Sequence, residues 1–199
     1  MKTLVIIGAS GHGKVLADIA EKSGYENIYF LDDNENIKQC GGFPVIGTCT
    51  EIPKIDADIV IGIGNANIRR QIQERLIGKN IVTLIHPNAV IGRDVHIGIG
   101  TVVMAGAVIN PGVVIGECCI INTCASVDHD CKIGNFTHIA VGSHLCGTVV
   151  LGNNVWIGAG ATVKNNISIY HDCIIGAGAV VIDNVIEPGT YVGVPARKL

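Results

Sequence analysis

The sequence predicts two domains of different class, a small parallel α/β domain followed by an all-β domain, a parallel β-helix. Two observations support this fold class. Short apolar strands alternate with helical segments between residues 3 and 85, which is typical of a parallel sheet with helices packed on it. From Ile91 onward the period of the apolar residues changes, and every sixth residue is Ile, Leu or Val. A strict six-residue repeat is typical of a parallel β-helix.

The first domain, residues 1–86, is predicted to be Rossmann-like. A buried strand leads into a glycine-rich turn, and a helical pattern continues to about Lys22. The second strand ends in two aspartates. A third strand, a turn, a helix and a last strand follow before His86 and Pro87. The predicted strands are 3–8, 28–31, 58–61 and 81–85, and the second helix is 67–76.

The repeat in residues 87–199 keeps its register without a break over sixteen hexads. Each hexad forms one short strand and a turn, and three such faces close one coil, so the run makes a little over five coils. The large residues stack between coils, and no coil is stable alone. The residue four positions further on is small or apolar, as at Ala107, Cys119 and Ala125. The large positions are Ile91, Ile97, Val103, Ile109, Ile115, Ile121, Val127, Ile133, Ile139, Leu145, Leu151, Ile157, Val163, Ile169, Ile175 and Val181.

Composition excludes several classes of function. The net charge is −3 and basic runs are absent from the sequence, which argues against nucleic acid as a partner. No apolar stretch approaches the ~18 residues that a membrane span needs, so membrane insertion is not expected. The eight cysteines contain no CxxC spacing, and Cys119, Cys131 and Cys173 occupy small inward positions. We expect core thiols, no metal site and a cytoplasmic protein.

The glycine turn is the first chemical signal. Glycines between a strand and a helix let the backbone approach a phosphate, which the helix N-terminus attracts. The spacing in Gly8-Ala9-Ser10-Gly11-His12-Gly13 is GxxGxG rather than the dinucleotide pattern GxGxxG, which weakens any assignment to NAD. Asp32 follows Gly13 by nineteen positions, where a ribose or base can be held. The alternative is a plain tight turn, with His12 a polar loop residue.

The second signal is Val127-Asp128-His129-Asp130, where the imidazole is predicted to point outward and a carboxylate can orient it and raise its basicity. His138 lies half a coil further on, so the two histidines can serve one site only if neighbouring β-helices meet. Gly147 is one coil above His129, and Ala159 and Ala177 are one coil apart in another column; small residues leave a trough. The alternative is that both histidines are solvated surface groups.

Taken together, these motifs resemble the hexapeptide-repeat acyltransferases of the NeuD/PglD type over nearly all of the chain. The resemblance implies a left-handed β-helix, a homotrimer, acetyl-CoA as co-substrate with no permanently bound cofactor, and a nucleotide-linked amino sugar as acceptor. The residues that carry it are the glycine turn, Asp32-Asp33, Gly64-Asn65, Val127 to Cys131, His138 to Gly142 and Gly193 to Ala196.

The resemblance also implies roles for particular residues. His129 would be the general base, supported by Asp130, where relatives can carry Glu. His138 and the backbone around Gly147, Ala159 and Ala177 would contact acetyl-CoA. Arg197 and Lys198 would attract its phosphates or form a solvated tail. The nucleotide of the acceptor would be held by Gly11, His12, Gly13, Asp32, Asp33, Gly64 and Asn65.

The function that the resemblance implies is N-acetylation of an amino sugar, with a UDP-linked 4-amino-4,6-dideoxy sugar as first choice. A GDP-linked amino sugar and the hydroxyl of a sialic acid remain alternatives. A different class, the γ-class carbonic anhydrases, uses a similar β-helix with zinc between subunits. His129, His138 and His144 would be its ligands, but the first domain would then have no role. A non-catalytic scaffold would leave the outward His-Asp pair unexplained.

Overall fold

A computed structural model describes residues 2–199 and divides the chain into two compact units, one ending at Pro87 and the other running from Asn88 to Leu199. The first unit contains six strands, two α-helices and a 3₁₀ helix, Cys49–Lys54, in the part of the chain described. The strands and helices are β1 (Thr3–Ile7), α1 (Gly11–Lys22), β2 (Asn27–Leu31), β3 (Gln39–Cys40), β4 (Phe43–Gly47), β5 (Asp58–Ile61), α2 (Ala66–Arg75) and β6 (Leu84–Ile85).

The first unit is built on a sheet of order β3-β4-β2-β1-β5. β1 lies between β2 and β5 and pairs in parallel with both. Leu4, Ile6 and Ile7 of β1 are completely buried, because the central strand of a parallel sheet is covered on both faces. The predicted parallel α/β domain is confirmed. The hairpin formed by β3 and β4 was not predicted, because β3 has only two residues and Pro44 interrupts the strand pattern of β4.

The helix α1 begins at Gly11, earlier than the sequence pattern indicated. The last three residues of the glycine motif are therefore the first turn of the helix, and only Gly8, with φ +108°, has the left-handed backbone that favours glycine. The predicted strand 81–85 is shorter than expected. Ile81 forms a single bridge to Ile59, and the strand itself covers Leu84–Ile85.

The second unit is a parallel β-helix, which confirms the predicted fold, and its hexapeptide repeats fit a left-handed one. Between Val90 and Val181 the neighbouring strands of each sheet pair in parallel at a spacing of eighteen residues, as Ser126 does with His144. The strands are β7 (Val90–Ile91), β8 (His96–Ile97), β9 (Val102–Val103), β10 (Val108–Ile109), β11 (Val114–Ile115), β12 (Ile120–Ile121), β13 (Ser126–Val127), β14 (Lys132–Ile133), β15 (His138–Ile139), β16 (His144–Leu145), β17 (Val150–Leu151), β18 (Trp156–Ile157), β19 (Thr162–Val163), β20 (Ser168–Ile169), β21 (Cys173–Ile175), β22 (Val180–Val181), β23 (Gly189–Val192) and β24 (Arg197–Lys198).

The strands of the β-helix lie on three faces. Face 1 contains β7, β10, β13, β16, β19 and β22; face 2 contains β8, β11, β14, β17 and β20; face 3 includes β9, β12, β15, β18 and β21. The large residue of each hexad points inward and is buried from Val103 onward, whereas Ile91, in the first coil, is 37% exposed. Cys119, Cys131 and Cys173 are fully buried, as predicted, and all eight cysteines are free thiols.

A left-handed backbone residue occurs once in each of the first fifteen hexads. From Asp94 to Gly178 every sixth residue has φ between 50° and 76°, and nine of these fifteen residues are not glycine. The backbone N–H of such a residue donates to a carbonyl in the turn of the preceding coil, as Asp130 does to Pro111 at 3.1 Å. Each turn is therefore attached to the turn below it.

No helix in residues 2–199 combines the length and the apolar character that crossing a bilayer requires.

Candidate active site

The turn between β13 and β14 carries His129 at the corner of faces 1 and 2. Its Nδ1 lies 2.9 Å from Oδ2 of Asp130, and both side chains are more than half exposed. Asp130 is the left-handed residue of this turn, with φ 59°, a conformation that aspartate tolerates better than most residues. The sequence-predicted pair therefore exists, and it projects into solvent from a rigid turn.

The coils below and above shape this turn. A Cβ atom at Gly147 would lie 2.5 Å from Nε2 of His129, and one at Gly112 would lie 2.7 Å from Oδ1 of Asp130. The backbone of Thr148 donates to the carbonyl of His129 at 2.9 Å. Gly147 is thus one coil above His129, as predicted, and its lack of a side chain leaves room for the imidazole.

The charges around His129 favour a basic imidazole. The hydrogen bond to Asp130, followed by the charge of Asp128, raises the pKa of His129 above its ordinary value. Because an ionised carboxylate can only accept, Nδ1 carries the proton and Nε2 is the basic nitrogen of the neutral ring. This arrangement can remove a proton from a substrate at Nε2.

The same dipeptide recurs at His171-Asp172, in the turn between β20 and β21. Asp172 also has a left-handed backbone, with φ 57°. Here, however, His171 Nε2 lies 3.9 Å from Asp172 Oδ2, and the ring packs against Tyr170 with centroids 3.8 Å apart. The dipeptide alone therefore does not produce a hydrogen-bonded pair.

His138 lies in β15, on face 3, and not in the turn that holds His129. Its ring stacks on Trp156, with centroids 5.5 Å apart, and its Nε2 lies 3.1 Å from Nδ2 of Asn122. The backbone N–H of Thr123 donates to Oδ1 of Asn122 at 2.8 Å, which orients the amide. Because the amide nitrogen donates, Nε2 of His138 accepts and its Nδ1 carries a proton.

Ala159 and Ala177 lie one coil apart in the turns that join face 3 to face 1, and both are exposed. Each precedes a glycine with a left-handed backbone, and a Cβ atom at Gly160 or Gly178 would meet no atom within 4 Å. This column is an open strip of small residues, as predicted. Within one chain, His129 therefore lies beside Gly147 at the corner of faces 1 and 2, and His138 lies on face 3. The two alanines lie in the turns between faces 3 and 1.

The glycines of the first unit have two different roles. A Cβ atom at Gly13 would lie 2.1 Å from the carbonyl oxygen of Gly8, and one at Gly62 would lie 3.0 Å from the Cα of Gly13. These three glycines let α1 pack closely against the ends of β1 and β5. A Cβ atom at Gly11 or Gly64 would meet nothing within 4 Å, so those two leave open backbone.

His12 lies in the first turn of α1, and its Nε2 is buried without a hydrogen-bond partner among residues 2–199. Burial, followed by the charge of Arg69, lowers the pKa of His12 to about 4, so the ring is neutral at pH 7. Arg69 is 1% exposed and donates to the carbonyls of Ile63 and Gly64 at 2.8 and 2.9 Å. Asn65 caps the N-terminus of α2.

The two aspartates after β2 bond to backbone. Asp32 accepts from the N–H groups of Ala9 at 2.7 Å and Asn34 at 2.9 Å, and Asp33 accepts from Cys49 at 2.8 Å. Asp32 therefore attaches the loop after β2 to the glycine turn. The loop residues predicted to hold a nucleotide lie at the carboxyl ends of β1, β2 and β5, where ligands bind to open parallel sheets.

The remaining predicted residues make no hydrogen bond to the His129-Asp130 pair among the contacts described for residues 2–199. Lys198 pairs with Glu187 at 2.9 Å and Arg197 lies 3.6 Å from Asp183, both exposed. Nδ1 of His144 and Oγ of Ser126 share a hydrogen bond of 2.8 Å. Within residues 2–199 no three His, Cys, Asp or Glu side chains converge to hold a metal in one chain.

Sequence reasoning did not assign Asn110, Asn122, Trp156 or Arg69. Coil spacing points to two of them, because Asn110 precedes Asp128 by eighteen residues and Trp156 follows His138 by eighteen. Arg69 gives no signal, because an arginine on an amphipathic helix is usually solvated.

Comparison with known proteins agrees with both units. Residues 3–76 match the family described as PglD N-terminal domain, and residues 148–183 match bacterial transferase hexapeptide (six repeats). UDP-N-acetylbacillosamine N-acetyltransferase of Bacillus subtilis (strain 168) is 37% identical over 113 residues, which are 53% of this chain and 52% of that protein. The chain therefore spans about half the length of this curated relative.

Solved structures of relatives match the whole chain. The acetyltransferase domain of PglB from Neisseria gonorrhoeae FA1090, in complex with acetyl coenzyme A, is 41% identical with a TM-score of 0.97, covering 100% of this chain and 99% of that chain. PerB from Caulobacter crescentus, in complex with CoA and GDP-perosamine, is 34% identical with a TM-score of 0.95, and the match covers 100% of this chain and 98% of that chain.

The two roles of the glycines generate a prediction. Gly13→Ala places a methyl group against a backbone oxygen, and such overpacking typically costs ~1–3 kcal/mol. Gly11→Ala places one in open space, so we expect the stability to be unchanged or slightly higher. Thermal unfolding of both variants checks this. Equal melting temperatures for the two variants would contradict a packing role for Gly13.

Proposed function

The chain belongs to the hexapeptide-repeat sugar acetyltransferases of the NeuD/PglD type, and from that premise we propose that it transfers the acetyl group of acetyl-CoA to the amine of a nucleotide-linked amino sugar. The observation that carries the proposal is the bonded pair of His129 and Asp130, with the basic Nε2 lying beside Gly147. Acyl transfer to an amine needs such a base, because the amine is protonated near neutral pH.

In the proposed first step, Nε2 of His129 removes a proton from the protonated sugar amine, and the lone pair freed on the amine nitrogen then attacks the thioester carbonyl. The imidazolium that forms is stabilised by the carboxylates of Asp130 and Asp128, the two groups that raise the pKa of His129. Asp130 also keeps the ring in the tautomer whose Nε2 can accept. His129 is the general base in this mechanism, and Asp130 positions it.

The tetrahedral intermediate places a negative charge on the former carbonyl oxygen, which fixed hydrogen-bond donors stabilise. His138 offers such a donor, because Asn122 occupies its Nε2 and leaves the proton on Nδ1. Collapse of the intermediate expels the thiolate of CoA, a good leaving group, so no covalent enzyme intermediate is required. The cysteines are not needed as nucleophiles.

The first unit supplies the nucleotide site in this proposal. Gly11 and Gly64 offer open backbone, Asn65 is exposed, and the buried Nε2 of His12 lacks a hydrogen-bond partner among residues 2–199. Gly13 and Asp32 contribute indirectly, by packing α1 and by holding the loop, and Asp33 holds the backbone of Cys49. A UDP-linked 4-amino-4,6-dideoxy sugar is the first choice of acceptor, supported by the 37% identity to the UDP-N-acetylbacillosamine enzyme over 113 residues, and a GDP-linked amino sugar is the alternative, supported by the 34% identity to PerB over the whole chain.

Acetyl-CoA is proposed to lie along Ala159 and Ala177 and to reach His138, with no other cofactor. Because His129 and His138 belong to different faces of one chain, a complete site requires two β-helices side by side. A homotrimer with three such sites satisfies this requirement by closed symmetry. The substrates and the eight free thiols support a cytoplasmic reaction in the synthesis of a glycan precursor.

The first test is release of CoA thiol from acetyl-CoA in the presence of candidate acceptors. We expect turnover with a UDP-linked 4-amino-4,6-dideoxy sugar and less with the GDP-linked analogue. A thermal-shift panel of UDP, GDP, CMP and dTDP sugars tests binding independently, because a ligand of the folded state raises its stability. Thiol release with sialic acid alone would contradict N-acetylation, and zinc-dependent hydration of CO₂ would favour the carbonic anhydrase class.

The second test removes the base. Loss of a general base typically lowers the rate by ~10²–10⁴-fold, so we expect His129→Ala to lose most turnover while both substrates still bind. Asp130→Asn removes a negative charge and lowers the pKa of His129, which moves the acidic limb of the pH profile to lower pH. It keeps part of the rate. Steady-state kinetics across pH 5–9 measure both effects.

The matched control is His171→Ala, which removes the histidine of the same dipeptide from another turn. It should leave kcat and the pH profile unchanged. Near-normal turnover in His129→Ala would exclude His129 as the base.

The third test concerns the shared site. His129→Ala and His138→Ala chains, each inactive alone, are co-refolded in equal amounts into mixed trimers. If a site takes His129 from one chain and His138 from its neighbour, about one quarter of the sites in random trimers are intact. Turnover should recover to about that fraction. No recovery in confirmed mixed trimers would contradict the shared site.

A further inference from the structure

The turn that carries His129 contains a second carboxylate, Asp128, which the mechanism uses only for its charge. Its Oδ1 accepts two hydrogen bonds, from Nδ2 of Asn110 at 2.7 Å and from the backbone N–H of His129 at 2.8 Å. Asn110 lies one coil below, where its own N–H donates to the carbonyl of Val127 at 2.9 Å. A side chain of the preceding coil is thus connected through Asp128 to the backbone of His129.

We propose that Asn110 and Asp128 form a positioning pair that aims the imidazole of His129 at Asp130. This inference rests on the proposed function and extends it to a residue of the preceding coil. Neither residue is proposed to touch the reacting atoms. The amide of Asn110 donates to the carboxylate of Asp128, and that carboxylate accepts from the backbone N–H of His129. The backbone N–H of Thr148, in the coil above, donates to the carbonyl of His129.

The second His-Asp turn shows what changes when the pair is absent. The residue before His171 is Tyr170, so that turn has no carboxylate to take the N–H of the histidine. Its coil-to-coil amide, Nδ2 of Asn154, bonds instead to Oδ1 of Asp172 at 2.6 Å. That aspartate lies 3.9 Å from its histidine, whereas Asp130 lies 2.9 Å from His129.

The amide from the coil below therefore goes to the residue before the histidine in one turn and to the residue after it in the other. In the first arrangement Asp130 remains available to the imidazole. In the second arrangement the corresponding carboxylate is held by an asparagine, and the ring packs on Tyr170. The two turns therefore differ in which aspartate the asparagine of the coil below binds. Only the turn in which it binds the residue before the histidine contains a hydrogen-bonded His-Asp pair.

The charged and titratable groups around the turn are few. Asp128 and Asp130 lie on the turn itself, and the hydrogen bond from Asn110 lowers the pKa of Asp128, which keeps it ionised. The thiol of Cys131 remains neutral, because burial raises its pKa to about 11. Cys146 lies in the coil above, and its backbone carbonyl accepts a hydrogen bond from Sγ of Cys131 at 3.2 Å. Asn110, Gly112 and Gly147 carry no charge.

Two substitutions separate position from charge. Asp128→Asn keeps an oxygen that can accept both hydrogen bonds but removes the negative charge, so the acidic limb of the pH profile should move to lower pH with little loss of maximal kcat. Asn110→Ala keeps the charge but releases the carboxylate. We expect kcat to fall about tenfold with unchanged KM for both substrates, because small misplacements of a catalytic group lower the rate.

The matched control is Asn154→Ala, which removes the same kind of coil-to-coil hydrogen bond at the second turn. It should lower the melting temperature comparably and leave kcat, KM and the pH profile unchanged. A kcat for Asn110→Ala equal to that of the wild type, or a loss matched by Asn154→Ala, would overturn the positioning role.

A second readout does not depend on the acceptor. NMR titration of the His129 imidazole in the full chain reports its pKa and tautomer directly. We expect the pKa to fall in Asp128→Asn, and in Asn110→Ala we expect loss of the preference for a proton on Nδ1. If the wild-type protein transfers no acetyl group, the proposed function fails, while unchanged NMR parameters in both variants would refute the positioning pair.

Discussion

A left-handed backbone residue at every sixth position is the constraint on which the β-helix depends. The two residues of each strand extend the chain along a face, and the left-handed residue turns it toward the next face. For most residues this conformation costs ~1–2 kcal/mol, and stacking must offset that cost, since nine of the fifteen positions are not glycine. The stacking has two parts, buried aliphatic columns inside and N–H to carbonyl bonds between successive turns.

The candidate base depends on the same constraint. Asp130 is both the left-handed residue of its turn and the partner of His129. A rigid turn therefore holds the carboxylate beside the imidazole without support from a deep pocket. Glycines one coil below and one coil above, Gly112 and Gly147, keep the space that the two side chains occupy. The exposed pair is ordered by backbone geometry and not by burial.

The β-helix and the His129-Asp130 pair could be predicted from the sequence, because the six-residue period shows which residue of each hexad points inward and which residues lie in the exposed turn. The strands around Ile6 and Val60 were predictable for a similar reason, as buried apolar runs. Other features depend on close tertiary approach. Gly11 and Gly13 look alike in the motif, yet only Gly13 packs against Gly8. The burial of Arg69 follows from carbonyl groups that fold beside it, and Asn110 becomes significant only when the coil length is applied to Asp128.

The equal length of the coils has an evolutionary consequence. Neighbouring coils repeat at a spacing of eighteen residues, as in the pairing of Ser126 with His144, and the turn-to-turn bond from Thr148 to His129 joins residues nineteen positions apart. Duplication or deletion of eighteen residues outside residues 110–148 would leave each inward column and the turn of His129 with its hydrogen-bond partners intact. A change of one residue would rotate the following part of the stack out of phase. The domain can therefore lengthen or shorten by whole coils, and its height can diverge between lineages while the chemistry of one turn stays the same.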